Sequence, residues 1–124
     1  MGPTLDLKRW LDAFEEPLGA AEKVLPLAEA VRRAVRPGMT LHFTFGHNRP
    51  TASILEVLRQ FRGTEPGFTM AMLFTAGPAI ALLTEGLVKH LVTTLVCEPY
   101  PAPAPCRPAQ REVKAGRLSI EQWG

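Results

Sequence analysis

The stretch Phe45-Gly46-His47-Asn48-Arg49-Pro50 concentrates more chemistry than any other part of the chain. A glycine lets the backbone approach a ligand closely, and a histidine, an amide and a guanidinium follow it as hydrogen-bond donors. If a strand ends before this turn and a helix starts at Pro50, the helix start offers free N–H groups and partial positive charge to an anion or oxyanion. Without such a ligand the same residues make a polar strand-to-helix connection, with Arg49 in a surface ion pair. A second stretch, Thr75-Ala76-Gly77-Pro78, again sets a glycine before a helix. It reads as a ligand-facing turn or as a turn alone. The third, Cys97-Glu98-Pro99-Tyr100, places a thiol beside a carboxylate, which makes Glu98 a candidate for facing a ligand. Cys97 reads as a small buried residue rather than a nucleophile, because the His90 that would activate it lies most of a strand away. His42, inside an apolar run, reads as a core or interface histidine.

Other signatures are missing. The sequence contains no GxxxxGK[ST] loop, no GxGxxG fingerprint, no GxSxG elbow and no HExxH helix. Its 3 histidines and 2 cysteines show no recurring zinc-ligand spacing. Fourteen basic residues against 12 acidic ones leave a charge of +2, which gives no footprint for nucleic acid. Met1 is not followed by a basic region and an apolar run, and no uncharged apolar stretch approaches the ~20 residues of a spanning helix. The expectation is a soluble, cytoplasmic protein. A disulfide between Cys97 and Cys106 lacks the secretory signal that would support it.

The elements that must position these turns can be read from periodicity. A length of 124 residues suits one domain, and a 46% hydrophobic share is enough for a core. Leu5, Leu7, Trp10, Leu11 and Phe14 approximate helical spacing, so residues 1–21 read as an N-terminal helical extension ended by Pro17 and Gly19. Residues 22–124 then read as one α/β domain. A helix is expected over Pro26–Val35, a strand over Met39–Phe45 and a helix over Pro50–Phe61. A strand over Phe68–Phe74, a helix from Gly77-Pro78 through Thr84 and a strand over Leu87–Val96 follow. Prolines 99, 101, 103, 105 and 108 mark residues 98–108 as a proline-rich loop, before a short helix near Ala109–Ala115 and a strand over Arg117–Ile120.

Alternating strands and helices with short turns predict right-handed crossovers and a parallel sheet. Near-continuous apolar strands predict cover on both faces. The expected fold is therefore α/β, an open parallel sheet with helices on both faces and the three candidate turns at one edge. So few strands leave exposed edges, which predicts a completing partner or a longer chain.

Several stretches resemble the α subunits of family I CoA-transferases, of the glutaconate CoA-transferase kind. They are Glu22 to Val31, Arg36-Pro37-Gly38-Met39-Thr40, Gly46 to Ala52 leading into Val57-Leu58-Arg59-Gln60, Glu85 to His90, and Arg111 to Leu118 with Gln122-Trp123. The resemblance is dispersed over about residues 22–124, and it corresponds to the N-terminal half of such a subunit. It implies an acyl-CoA thioester as substrate and no tightly bound cofactor. It also implies a hetero-oligomer in which a β-like subunit carries the attacking glutamate. By the same resemblance the backbone of Gly46 is the oxyanion turn. Phe45, His47, Asn48 and Arg49 flank the substrate, with Gly77 and Glu98 as further substrate-side positions. One departure stands out: family α subunits carry a paired glycine before the aromatic residue of this loop, where this chain has Phe43-Thr44-Phe45-Gly46. Members that have lost transferase chemistry decarboxylate or hydrolyse CoA esters, and a non-catalytic scaffold is the remaining alternative.

Overall fold

The computed structural model describes residues 24–44, 49–98 and 102–123. Along the chain run α1 (Leu27–Ala34), β1 (Thr40–His42), α2 (Thr51–Phe61), β2 (Phe68–Thr75) and α3 (Pro78–Thr84). β3 (Val88–Glu98), β4 (Ala104–Pro105), α4 (Arg107–Lys114) and β5 (Ser119–Gln122) complete it. Leu41 pairs with Met70, Met70 with Leu91 and Leu91 with Ile120, so β1, β2, β3 and β5 form a parallel ladder in chain order. The expected α/β class and parallel sheet are present, and β1, β2 and β3 end at one edge of it.

Strand order that follows chain order puts the connecting helices on one side, provided the crossovers share a hand. The described helices accordingly form one layer, in which α1 packs on α2, α2 on α3 and α3 on α4; among the described residues the helices therefore cover one face of the sheet and not the two expected. Beneath this layer lies a single core. Val57 of α2, Leu82 and Leu83 of α3 and Ala109 of α4 meet Phe68 and Met70 of β2 and Leu91 of β3, all buried. The sequence of β2 explains the asymmetry, because large Phe68, Met70 and Met72 alternate with Thr69, Ala71 and Leu73. The second set faces away from the helix layer, and Leu73 is 61% exposed. The further helix expected over residues 5–15 lies outside the described residues.

β1 is shorter than the expected Met39–Phe45, with Phe43 and Thr44 outside it, and β5 lies two residues later than the expected Arg117–Ile120. Two further boundaries differ for a shared reason. β3 runs on past Val96 to Glu98 because part of the proline-rich segment pairs with it: Cys97 faces Pro105 and Glu98 faces Ala104, antiparallel. A proline is tolerated in so short an edge strand, where its missing N–H breaks no central ladder. α4 then starts at Arg107 rather than Ala109, with Pro108 in its first turn. Of the two readings of His42, the core one is corrected. This histidine is exposed on the open face of β1 rather than held in the core, because its partner Ala71 belongs to the outward-facing set of β2.

Candidate functional site

The carboxyl edge of the sheet carries two of the candidate residues, Gly77 after β2 and Glu98 at the end of β3. Successive strands are about 4.8 Å apart, so the ends of β1, β2 and β3 span about 10 Å. Phe45, Gly46, His47 and Asn48 lie outside the described residues. Arg49, which follows them, is exposed. Its carbonyl accepts a 2.8 Å hydrogen bond from the Thr51 N–H as α2 begins.

Gly77 sits one strand along, immediately before α3. Its φ of 58° and ψ of −132° lie where side chains are rarely accommodated, although a Cβ there would meet no atom within 4 Å. The backbone path, rather than lack of space, therefore selects glycine. Its carbonyl accepts the Ile80 N–H at 3.0 Å, which fixes the first turn of α3. Behind this turn lies a buried polar pair. Thr75 Oγ1 is 3.1 Å from Thr93 Oγ1, and the Thr93 hydroxyl also lies 3.2 Å from the Leu95 carbonyl and 3.4 Å from that of Leu73.

Glu98 ends β3 half-buried. The Cys106 thiol donates to Glu98 Oε1 across 3.8 Å, so this carboxylate is oriented by a thiol from the start of α4. Burial, aided by the charge of Glu98, pushes the Cys106 thiol up, and at neutral pH it stays protonated as the donor. That environment opposes a thiolate nucleophile. Cys97 is buried too, and both cysteines are free. His90 is seven residues from Cys97, about 23 Å along an extended strand. Its ring is engaged elsewhere, with Nδ1 2.7 Å from Ser119 Oγ and Nε2 3.3 Å from Glu121 Oε2. The structure thus keeps His90 and Cys97 apart.

A cleft of about 410 Å³ opens between α4, β3 and β5, with Leu95, Val96, Val113 and Ile120 among its walls. No periodicity in the sequence signals this cleft, which forms where α4 lies beside Leu95 and Val96. Among the described residues no three His, Cys, Asp or Glu side chains group as a metal site. No described helix is long and apolar enough to cross a membrane.

No protein-family model matches the chain, and no curated protein matches its sequence. The fold is similar to that of the decarboxylase AibA/AibB, seen in the crystal structure of a cysteine-to-serine variant. The TM-score is 0.63 at 20% identity, over 79% of this chain and 37% of that one. The chain therefore spans little more than a third of the length of the protein it matches.

Proposed function

We propose that this chain is a subunit, or part of one, of an enzyme that processes acyl-CoA thioesters on a CoA-transferase-like fold. A β-like partner would supply the attacking glutamate. One observation carries the reading: the fold is similar to that of a decarboxylase, and Gly77 and Glu98 lie at the carboxyl edge of its parallel sheet, where the segment from Gly46 to Arg49 is proposed to join them. Ligands of open α/β sheets gather at that edge.

In the transfer reaction the glutamate carboxylate attacks the thioester carbonyl and expels the CoA thiolate, leaving a mixed anhydride. The thiolate then attacks the glutamyl carbonyl, releases the acid and leaves a glutamyl-CoA thioester. Negative charge builds on a carbonyl oxygen in each step, and the backbone of the Gly46 turn is the proposed donor. Such a donor contributes on the order of 3 kcal/mol. The second reading is decarboxylation of a CoA ester on the same fold. It is favoured by the named activity of AibA/AibB and by the stretch Phe43-Thr44-Phe45-Gly46 standing where transferases carry a paired glycine before the aromatic residue.

The test is to identify the partner by native mass spectrometry and assay the assembled complex with acyl-CoA substrates. Transfer requires an acceptor acid, whereas decarboxylation releases carbon dioxide without one. Gly46→Val is expected to lower kcat about a hundredfold while assembly persists. An unchanged kcat in an assembled Gly46→Val complex removes the oxyanion role and leaves a scaffold. Turnover by the isolated chain overturns the need for a partner.

A further inference from the structure

One face of α4 carries a run of cations. Arg107, Arg111 and Lys114 follow one another at spacings of four and three, so they form a stripe along one side of the helix. All three are exposed, and among the described residues none has an ion-pair partner. The acid of this helix, Glu112, is already held by Arg117 at 2.7 and 3.0 Å. Arg107 occupies the first helical position, where the helix dipole disfavours a cation. Among the described residues these three like charges therefore have no ion-pair partner, and they line a depression of about 240 Å³ with Gln110.

This depression adjoins the apolar cleft, because Gln110 and Lys114 line both. Around the cleft Leu95, Val113 and Ile120 are 46%, 41% and 38% exposed. Large aliphatic side chains left open to water beside uncompensated cations complement a particular ligand, one with an apolar arm and an anionic head. The cations are spread over about 10 Å of helix axis, which suits a head with more than one phosphate. Guanidinium forks bind phosphate oxygens in pairs.

We propose that the α4 stripe and the adjoining cleft bind the phosphate-bearing half of a coenzyme A thioester. The stripe takes the phosphates, and Leu95, Val113 and Ile120 take the start of the pantetheine arm. The choice of coenzyme A rests on the acyl-CoA reading above. The cleft lies three strand steps from β1, about 14 Å, and an extended pantetheine arm is long enough to bring its thioester across the carboxyl edge.

The experiment is calorimetric titration of the full 124-residue chain with three probes: coenzyme A, adenosine 3′,5′-bisphosphate and pantetheine. Coenzyme A should bind more tightly than either fragment. The double variant Arg107→Ala/Arg111→Ala should weaken coenzyme A and the bisphosphate at least about tenfold while leaving pantetheine unchanged. Val113→Asp should weaken coenzyme A and pantetheine with a smaller effect on the bisphosphate. These side chains are exposed, so an unchanged thermal midpoint confirms that each variant is folded. Coenzyme A affinity unchanged in the double variant overturns this site and leaves the acyl-CoA reading intact. Bisphosphate binding that depends on the arginines, with coenzyme A bound no better, overturns the coenzyme A assignment. Absence of binding by every probe overturns the site, and the turnover assay of the assembled complex then judges the enzymatic reading separately.

Discussion

The Thr75–Thr93 pair is where a single hydroxyl matters most to the candidate edge. Thr75 is fully buried and Thr93 nearly so, directly behind the Gly77 turn. Their roles are unequal, because the Thr93 hydroxyl sits among two backbone carbonyls as well as Thr75. Thr93→Val removes the side-chain partner of Thr75 and strands a buried hydroxyl, which costs about 1–3 kcal/mol. Thr75→Val leaves Thr93 with carbonyl acceptors, so it should cost less. Replacing both hydroxyls with methyls of the same shape removes the stranded group, so Thr75→Val/Thr93→Val should recover most of the loss. Urea unfolding of the three variants measures this order. A double variant as unstable as the sum of the singles would show that the two side chains act independently.

At the scale of elements, α3 is the keystone of the helix layer. It packs on both α2 and α4, and it buries Ala79, Ile80, Leu82 and Leu83. Leu82→Ala leaves a cavity there that neighbours on two sides cannot close together, so a loss of about 2–5 kcal/mol is expected in denaturant unfolding. A loss below about 1 kcal/mol would mean that the layer repacks freely. The β2–α3–β3 unit was legible in the sequence because Gly77-Pro78 and Gly86 mark both ends of a short apolar helix. The edge position of Gly77 and Glu98 followed from the parallel topology that these turns imply. β4 was not legible, since two residues in a proline tract carry no periodicity, and it takes the β3 ladder to pair them. The cleft under α4 was hidden with it, because pairing of Ala104–Pro105 decides where α4 begins. The stripe of Arg107, Arg111 and Lys114 was visible in principle from spacing alone; its missing counter-charges were not. His42 misled because a histidine between apolar neighbours looks the same whichever face of the strand it occupies.

Across the whole molecule, surface carboxylates tie elements together and give stability a pH dependence of defined sign. Arg59 is the main cause holding Glu56 down to about 2, with Gln60 next, against an ordinary value of 4.5. Gln60 Nε2 also donates to the Ala28 carbonyl at 2.8 Å, so this cluster joins α2 to α1. Arg117 holds Glu112 low, and the Trp123 indole, followed by His90, does the same for Glu121 at the end of β5. All three carboxyls are lowered on folding. The stability they contribute is therefore fully present above the ordinary carboxylate range and is lost as pH falls through the folded values. Folded wild-type protein should lose thermal midpoint steadily from about pH 5 towards pH 2. Glu56→Gln should lie below wild type at pH 6, follow a shallower curve, and converge with it near about pH 2. High salt should narrow the gap at pH 6, because these groups are screened. Thermal unfolding of both proteins across that range is the measurement. Curves that stay parallel down to the lowest pH would mean that Glu56 titrates alike in the folded and unfolded chain, and that its bonds to Arg59 and Gln60 do not persist in solution.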